Sequence, residues 1–246
     1  MISLVTRKEA LENEVFASFI SLWQERFDPR IDPYMTIPGI YYDHTLDQSR
    51  YFTQEEIDRI RLEEEAEFEK LRDDIVPIEL DFKGSLIYNL DEDNIFPYAQ
   101  ELGGAVEKFA QLLNSEITFI LDYSIPWQYQ RNEYFPVKHA LDYLENQDVH
   151  ENYVGGLRAS GDELAELTSN LFWIIRCNAG LPYCWFATKS HPFVGHICKY
   201  GNIHFECYSE SIKTDLEQIT STLGWIRIND CMQAFNDTFE GRQTIV

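Results

Sequence analysis

Gly201-Asn202 stands between two runs of strand-forming residues, Phe193 to Tyr200 and Ile203 to Tyr208. A short turn of residues that tolerate positive φ, flanked by such runs, is the strongest local signal for a β-hairpin. A hairpin alone is marginal in water, so it demands further strands or helices over its apolar face. A two-residue turn also sets register. Tyr200 is then opposite Ile203, Cys198 opposite Phe205, and His196 opposite Cys207. Side chains alternate along a strand, which puts those six on one face and Ile197, Lys199, His204, Glu206 and Tyr208 on the other. The face with Cys198, Phe205 and Cys207 is the more apolar and reads as the core face, with His196 at its end.

Other segments supply the rest of the sheet. Leu171 to Cys177 is a near-continuous apolar run whose length suits a strand buried on both faces. Tyr183 to Thr188 and Ile117 to Tyr123 read as strands, as do Val76 to Phe82 and Ser85 to Leu90 around Lys83-Gly84. Helix starts are marked by three capping boxes, in which a hydroxyl and a carboxylate three residues apart cover free amides. They are Thr6 to Glu9, leading a helix to about Arg26; Thr53 to Glu56, leading one to about Asp74; and Ser160 to Glu163, leading one to about Ser169. Further helices are expected over 95–113, from Pro136 to about Glu145, over 209–223 before Gly224, and over 230–240. Gly103-Gly104 lies inside the first of these, where it either kinks the helix or lets another backbone approach closely.

The expected fold class is α+β. An antiparallel or mixed sheet uses strands near 117–123, 171–177, 183–188, 195–200 and 203–208, with helices packed mainly on one side. Residues 1–246 are read as a single globular domain with a more helical, acidic first part (about 1–115) and a strand-rich second part (about 116–246).

Charge narrows the partners. The chain carries 42 acidic and 20 basic residues, a net of −22. Residues 1–123 hold 27 acidic and 11 basic of these, so the excess of −16 lies in the first half. Phosphate backbones and anionic membrane surfaces are bound by surplus Lys and Arg, so neither nucleic acid nor membrane is an expected partner. No apolar run reaches the length of a membrane span. A basic protein fits by sign, although acidity also serves solubility alone. The helix from Thr53 concentrates the charge, and Glu56, Glu63, Glu64 and Glu67 are the candidate partner-binding residues.

The five cysteines are odd in number and all follow residue 176, which is not a disulfide framework and points to a reducing cytoplasm. His191, His196, Cys198 and Cys207 are the candidate metal ligands, being the residue types zinc prefers. No Cys-x-x-Cys or His-x-x-x-His spacing accompanies them, and free cysteine also serves as a small core hydrophobe, so the expectation is no cofactor, with zinc as the alternative. No Gly-x-Ser-x-Gly, P-loop, Gly-x-Gly-x-x-Gly or His-Glu-x-x-His motif occurs. Three functions remain: an acidic binding or inhibitor protein, resembling in role an immunity protein against a basic toxin; a metal- or Cys/His-dependent enzyme centred on 191–207; and a small-molecule binding module built on Tyr41, Tyr42, Trp127 and Tyr129.

Overall fold

The computed structural model describes residues 2–27, 40–43, 48–74, 78–123, 125–128, 132–178 and 183–236. Residues 1–16 and 80–245 form one compact unit and residues 17–79 another.

The first unit begins with β1 (Ser3–Val5), α1 (Arg7–Ala10) and α2 (Glu14–Ala17). The Thr6 capping box is formed: the Thr6 hydroxyl accepts from the Glu9 amide, and the Glu9 carboxylate accepts from the Thr6 amide at 2.7 Å. The helix does not run on to Arg26 as the sequence implied. Asn13 interrupts it, because its side-chain oxygen accepts from the Val15 amide at 3.2 Å while its amide donates to the Thr188 carbonyl at 2.9 Å. A side chain that offers the backbone a local partner restarts a helix rather than continuing one.

The second unit holds α3 (Phe19–Phe27), the hairpin of β2 (Ile40–Asp43) and β3 (Gln48–Tyr51), and α4 (Gln54–Asp74). Within α3, Phe19 and Trp23 are one turn apart and their rings meet at 6.1 Å. The expected start and end of α4 are both found, and Thr53 and Glu56 make the reciprocal cap.

The first unit resumes with β4 (Gly84–Asn89), α5 (Ile95–Leu112), β5 (Ile117–Leu121), α6 (Phe135–Asn146), β6 (Gly156–Ala159) and α7 (Gly161–Cys177). It ends with β7 (Cys184–Ala187), β8 (Phe193–Ile197), β9 (Ile203–Cys207), α8 (Glu210–Thr222) and β10 (Ile226–Ile228). Eight strands make one antiparallel sheet in the order β1-β6-β5-β7-β8-β9-β4-β10. The fold is α+β. One sheet face carries Leu86, Phe119, Phe186, Phe193 and Phe205, all buried beneath apolar residues of α5 to α8. Phe109 of α5 meets Phe193 and Phe205 at 5.9 and 5.3 Å and stacks on Trp225 at 5.5 Å. On the opposite face α1 lies against β6, where a Cβ on Gly156 would come within 3.2 Å of the Ala10 methyl.

Three expectations about elements are corrected. Leu171 to Cys177 is the second half of α7, not a strand. Leu164, Leu167, Leu171 and Ile174 are buried at spacings of three and four, and Phe172, Trp173 and Cys177 are buried as well. A helix surrounded on nearly all sides shows no periodicity over seven residues, so its sequence is indistinguishable from that of a doubly buried strand. The Ser160 side chain makes no cap bond, so the third box marks the start without its expected hydrogen bond. Of the strand expected from Val76 to Phe82, residues 76 and 77 lie outside the described residues and 78–82 are irregular, and β4 pairs instead with β9 and β10. Residues 229–234 are irregular rather than helical, and 237–240 lie outside the described residues.

Candidate functional site

The β8–β9 hairpin is present, but its register differs from the sequence expectation by three residues. Ile197 pairs with Ile203, His196 with His204, Gly195 with Phe205 and Phe193 with Cys207. The connection is the five-residue loop 198–202, in which the Cys198 amide donates to the Asn202 carbonyl at 3.0 Å and the Gly201 amide to the Cys198 carbonyl at 2.9 Å. Gly201 sits at φ +90°, and a Cβ there would lie 2.8 Å from the Phe235 and Tyr98 rings. The Tyr98 hydroxyl donates to the Gly201 carbonyl at 2.7 Å. Only glycine fits a backbone held left-handed and pressed against two rings.

An odd shift of register exchanges faces on one strand relative to the other. His204, expected opposite His196, therefore shares its face, and the two rings stack at 4.3 Å and 10°. Tyr183 and Trp185 approach His196 edge-on at 5.0 and 4.8 Å, and the Trp185 indole donates to the Asp122 carboxylate at 2.6 Å. His196 Nδ1 and His204 Nε2 are shut away from solvent without a hydrogen-bond partner. Burial, reinforced by the neighbouring His204, pushes the His196 imidazolium down to about 3, and burial lowers His204 as well. Both rings are therefore neutral at pH 7, with ring nitrogens able to accept.

The four sequence-derived metal candidates do not converge. Cys207 is fully buried on the helix-side face, its thiol pushed up to about 11 by burial. It sits at the far end of the hairpin from Cys198, five residues or roughly 16 Å along the strand. His191 lies beyond that same far end, hydrogen-bonded through Nδ1 to the Thr188 hydroxyl at 2.9 Å. His196 and Cys207 point to opposite sides of the sheet, so the imidazole cannot act as base toward that thiol. What the fold does bring together is Cys198, His204 and Cys231, whose ligating atoms all lie within 4.8 Å of one another. The two sulfurs are 3.5 Å apart, well beyond the ~2.05 Å of a disulfide. Cys231, 27 residues past His204 and just after β10, carries no spacing signal in the sequence.

Two further places bear on function. On α4, the Glu56 carboxylate is committed to the Arg50 guanidinium at 2.6 and 2.9 Å and to the Thr53 amide at 2.7 Å, which together hold it down to about 2. It is thus tied up locally, whereas Glu63 is open to solvent with Arg59 at 4.0 Å. The side chains of Glu64 and Glu67 lie outside the described residues. A cleft of about 920 Å³ in the first unit is lined by Glu9, Asn13, Glu116, Arg158, Lys189 and His191 among others. Trp127 is not part of it; that ring is fully buried with its indole donating to the Gly155 carbonyl at 2.8 Å. The side chains of Tyr41 and Tyr42, and all of Tyr129, lie outside the described residues.

Comparison with protein-family models, curated proteins and solved structures gave no match. No helix among the described residues is long and apolar enough to cross a membrane.

Proposed function

We propose that this chain is a cytoplasmic binding or inhibitor protein whose acidic surface engages a basic protein, in the manner of an immunity protein on a basic toxin. The observation that carries it is the composition and exposure of α4. Its 21 residues hold ten acids and four bases, and Glu55, Asp58, Glu63 and Glu65 stand exposed along it. The close ion pair Arg50–Glu56 takes up one of the ten acids, and Glu63 has Arg59 only at 4.0 Å. A surface with a net excess of one sign attracts its complement over roughly a Debye length and raises the rate of encounter. The alternative of a metal- or Cys/His-dependent enzyme centred on 191–207 has less support, since His196 and Cys207 lie on opposite faces.

The test is kinetic. A basic partner isolated on this protein is measured against wild type and against the E55K/D58K/E63K/E65K variant, at about 0.05 and about 0.5 M salt. The expected outcome is an association rate that falls at least tenfold with salt and again with the reversal, while the dissociation rate moves less. A tight partner indifferent to both salt and charge reversal sinks the proposal.

A further inference from the structure

We infer that Cys198, His204 and Cys231 form a binding site for a thiophilic divalent cation, zinc by ligand type, at the loop end of the β8–β9 hairpin. The site is independent of the acidic-surface reading. Two cysteines and one histidine are a ligand set zinc takes with a fourth position open to water. Tetrahedral geometry with Zn–S of about 2.3 Å and Zn–N of about 2.0 Å requires sulfurs roughly 3.8 Å apart and each sulfur roughly 3.6 Å from the nitrogen. The protein supplies a sulfur pair at 3.5 Å, tenths of an ångström from the coordinating spacing, and all three ligating atoms within 4.8 Å, so closing on an ion asks for shifts on the order of 1 Å or less.

The surroundings are those of a ligand site rather than of three residues in passing contact. Asn202 is fully buried, and its side-chain amide donates to the Met232 carbonyl at 2.6 Å, toward Cys231 Sγ at 3.3 Å and toward Cys198 Sγ at 3.6 Å. Amide donors directed at the sulfurs stabilise thiolates and fix their orientation, as partners outside the ligand sphere do at metal centres. The His204 ring is held in place by stacking on His196, and its Nε2 is buried without a partner. Two thiolates balance the charge of one divalent cation. Cys198 is half-buried and Cys231 exposed, which leaves an entry path and room for a water as fourth ligand.

The fold also assigns the ion a task. Cys231 belongs to the segment after β10, which is also tied down by the Asn202 side-chain amide on the Met232 carbonyl, by the Ala234 amide on the Tyr200 carbonyl, by Phe235 on Tyr98 at 5.0 Å, and by Asn236 beside Asn94. A cation shared by Cys198, His204 and Cys231 reinforces the link between that segment and the hairpin loop, which otherwise rests on the Asn202–Met232 and Ala234–Tyr200 hydrogen bonds. Metal affinity is then folding free energy for this corner of the molecule.

The experiment uses full-length protein, reduced and stripped with chelator, titrated with cobalt(II) as an optical probe and then with zinc against a chromophoric chelator. Expected are one equivalent of cobalt with thiolate charge-transfer absorption and the visible bands of a tetrahedral site, displaced by zinc. Cys231→Ser, Cys198→Ser and His204→Gln should each weaken zinc by about a hundredfold or more and lose or alter those bands, while His191→Gln leaves them unchanged. Cys231 is exposed, so its variant keeps the test open if either of the others fails to fold. The inference is overturned by reduced wild type that takes up no stoichiometric metal. It is equally overturned by uptake that survives Cys231→Ser, or by a Cys198–Cys231 disulfide that persists under reductant with zinc present.

Discussion

Gly103 and Gly104 are adjacent in α5 and have opposite surroundings. A Cβ on Gly103 would lie 2.3 Å from both the Ala165 carbonyl oxygen and the Ser169 hydroxyl of α7, whereas nothing lies within 4 Å of one on Gly104. Helices approach this closely only over a residue without a side chain, and a backbone carbonyl cannot step aside. Gly103→Ala should therefore destabilise by about 1–3 kcal/mol through overpacking. Gly104→Ala should stabilise by about 0.5–1 kcal/mol, since it restricts the unfolded chain at no steric cost. Urea unfolding of the two single variants decides it, and shifts of the same sign would remove the close approach as the reason for the first glycine. The sequence pointed to the pair as a weak spot or a contact; which glycine does which depended on a helix 60 residues further on.

At the scale of elements, the cap of α4 shows what short-range chemistry achieves. Thr53 and Glu56 bind each other's amides, and Arg50 completes the carboxylate's partners. A carboxylate held down to about 2 in the folded state, from 4.5 without these partners, binds fewer protons than its unfolded counterpart between those values. Its contribution is therefore fully present above about pH 4.5 and is lost as pH falls toward 2. Glu56→Gln should lower stability at pH 7 and flatten that part of the acid loss, and Thr53→Ala should cost about 0.5–2 kcal/mol. Circular dichroism across pH 7 to about 2 reads both; profiles of wild type and Glu56→Gln that run parallel would show the cap to be idle. By contrast, α7 has no working side-chain cap at Ser160. It is made a helix by burial against α5 and α6, which is why its apolar second half misled a reading based on pattern.

The whole molecule carries −22, and like charges held within a folded unit repel. Raising NaCl from ~0.02 to ~0.5 M shortens the screening length from roughly 20 to roughly 4 Å, so the thermal midpoint should rise with salt. Scanning calorimetry at the two salt levels measures it. A midpoint that falls would mean that attractive surface pairs such as Arg50–Glu56 and Lys138–Glu133 outweigh the repulsion. The same salt dependence, expressed as association rate, is what the proposed basic partner should feel.

The sequence by itself determined the α+β class, the caps at Thr6 and Thr53, most of α4, α5, α6 and α8, and the presence of a hairpin around Gly201. Each rests on interactions within about one turn of helix or one strand pair, so the residues that decide it are neighbours in the chain. Tertiary structure alone decided that 171–177 is helical and that the hairpin closes through five residues instead of two. The loop is fixed by Tyr98 and Phe235 pressing on Gly201 and by Met232 receiving Asn202, partners about a hundred residues before it and some thirty after. That register turned His204 to the side of His196 and brought Cys231 to Cys198. A ligand set assembled from two ends of a loop and a distant segment has no spacing for a sequence to display, because convergence in space is set by which faces pack and not by which residues follow one another.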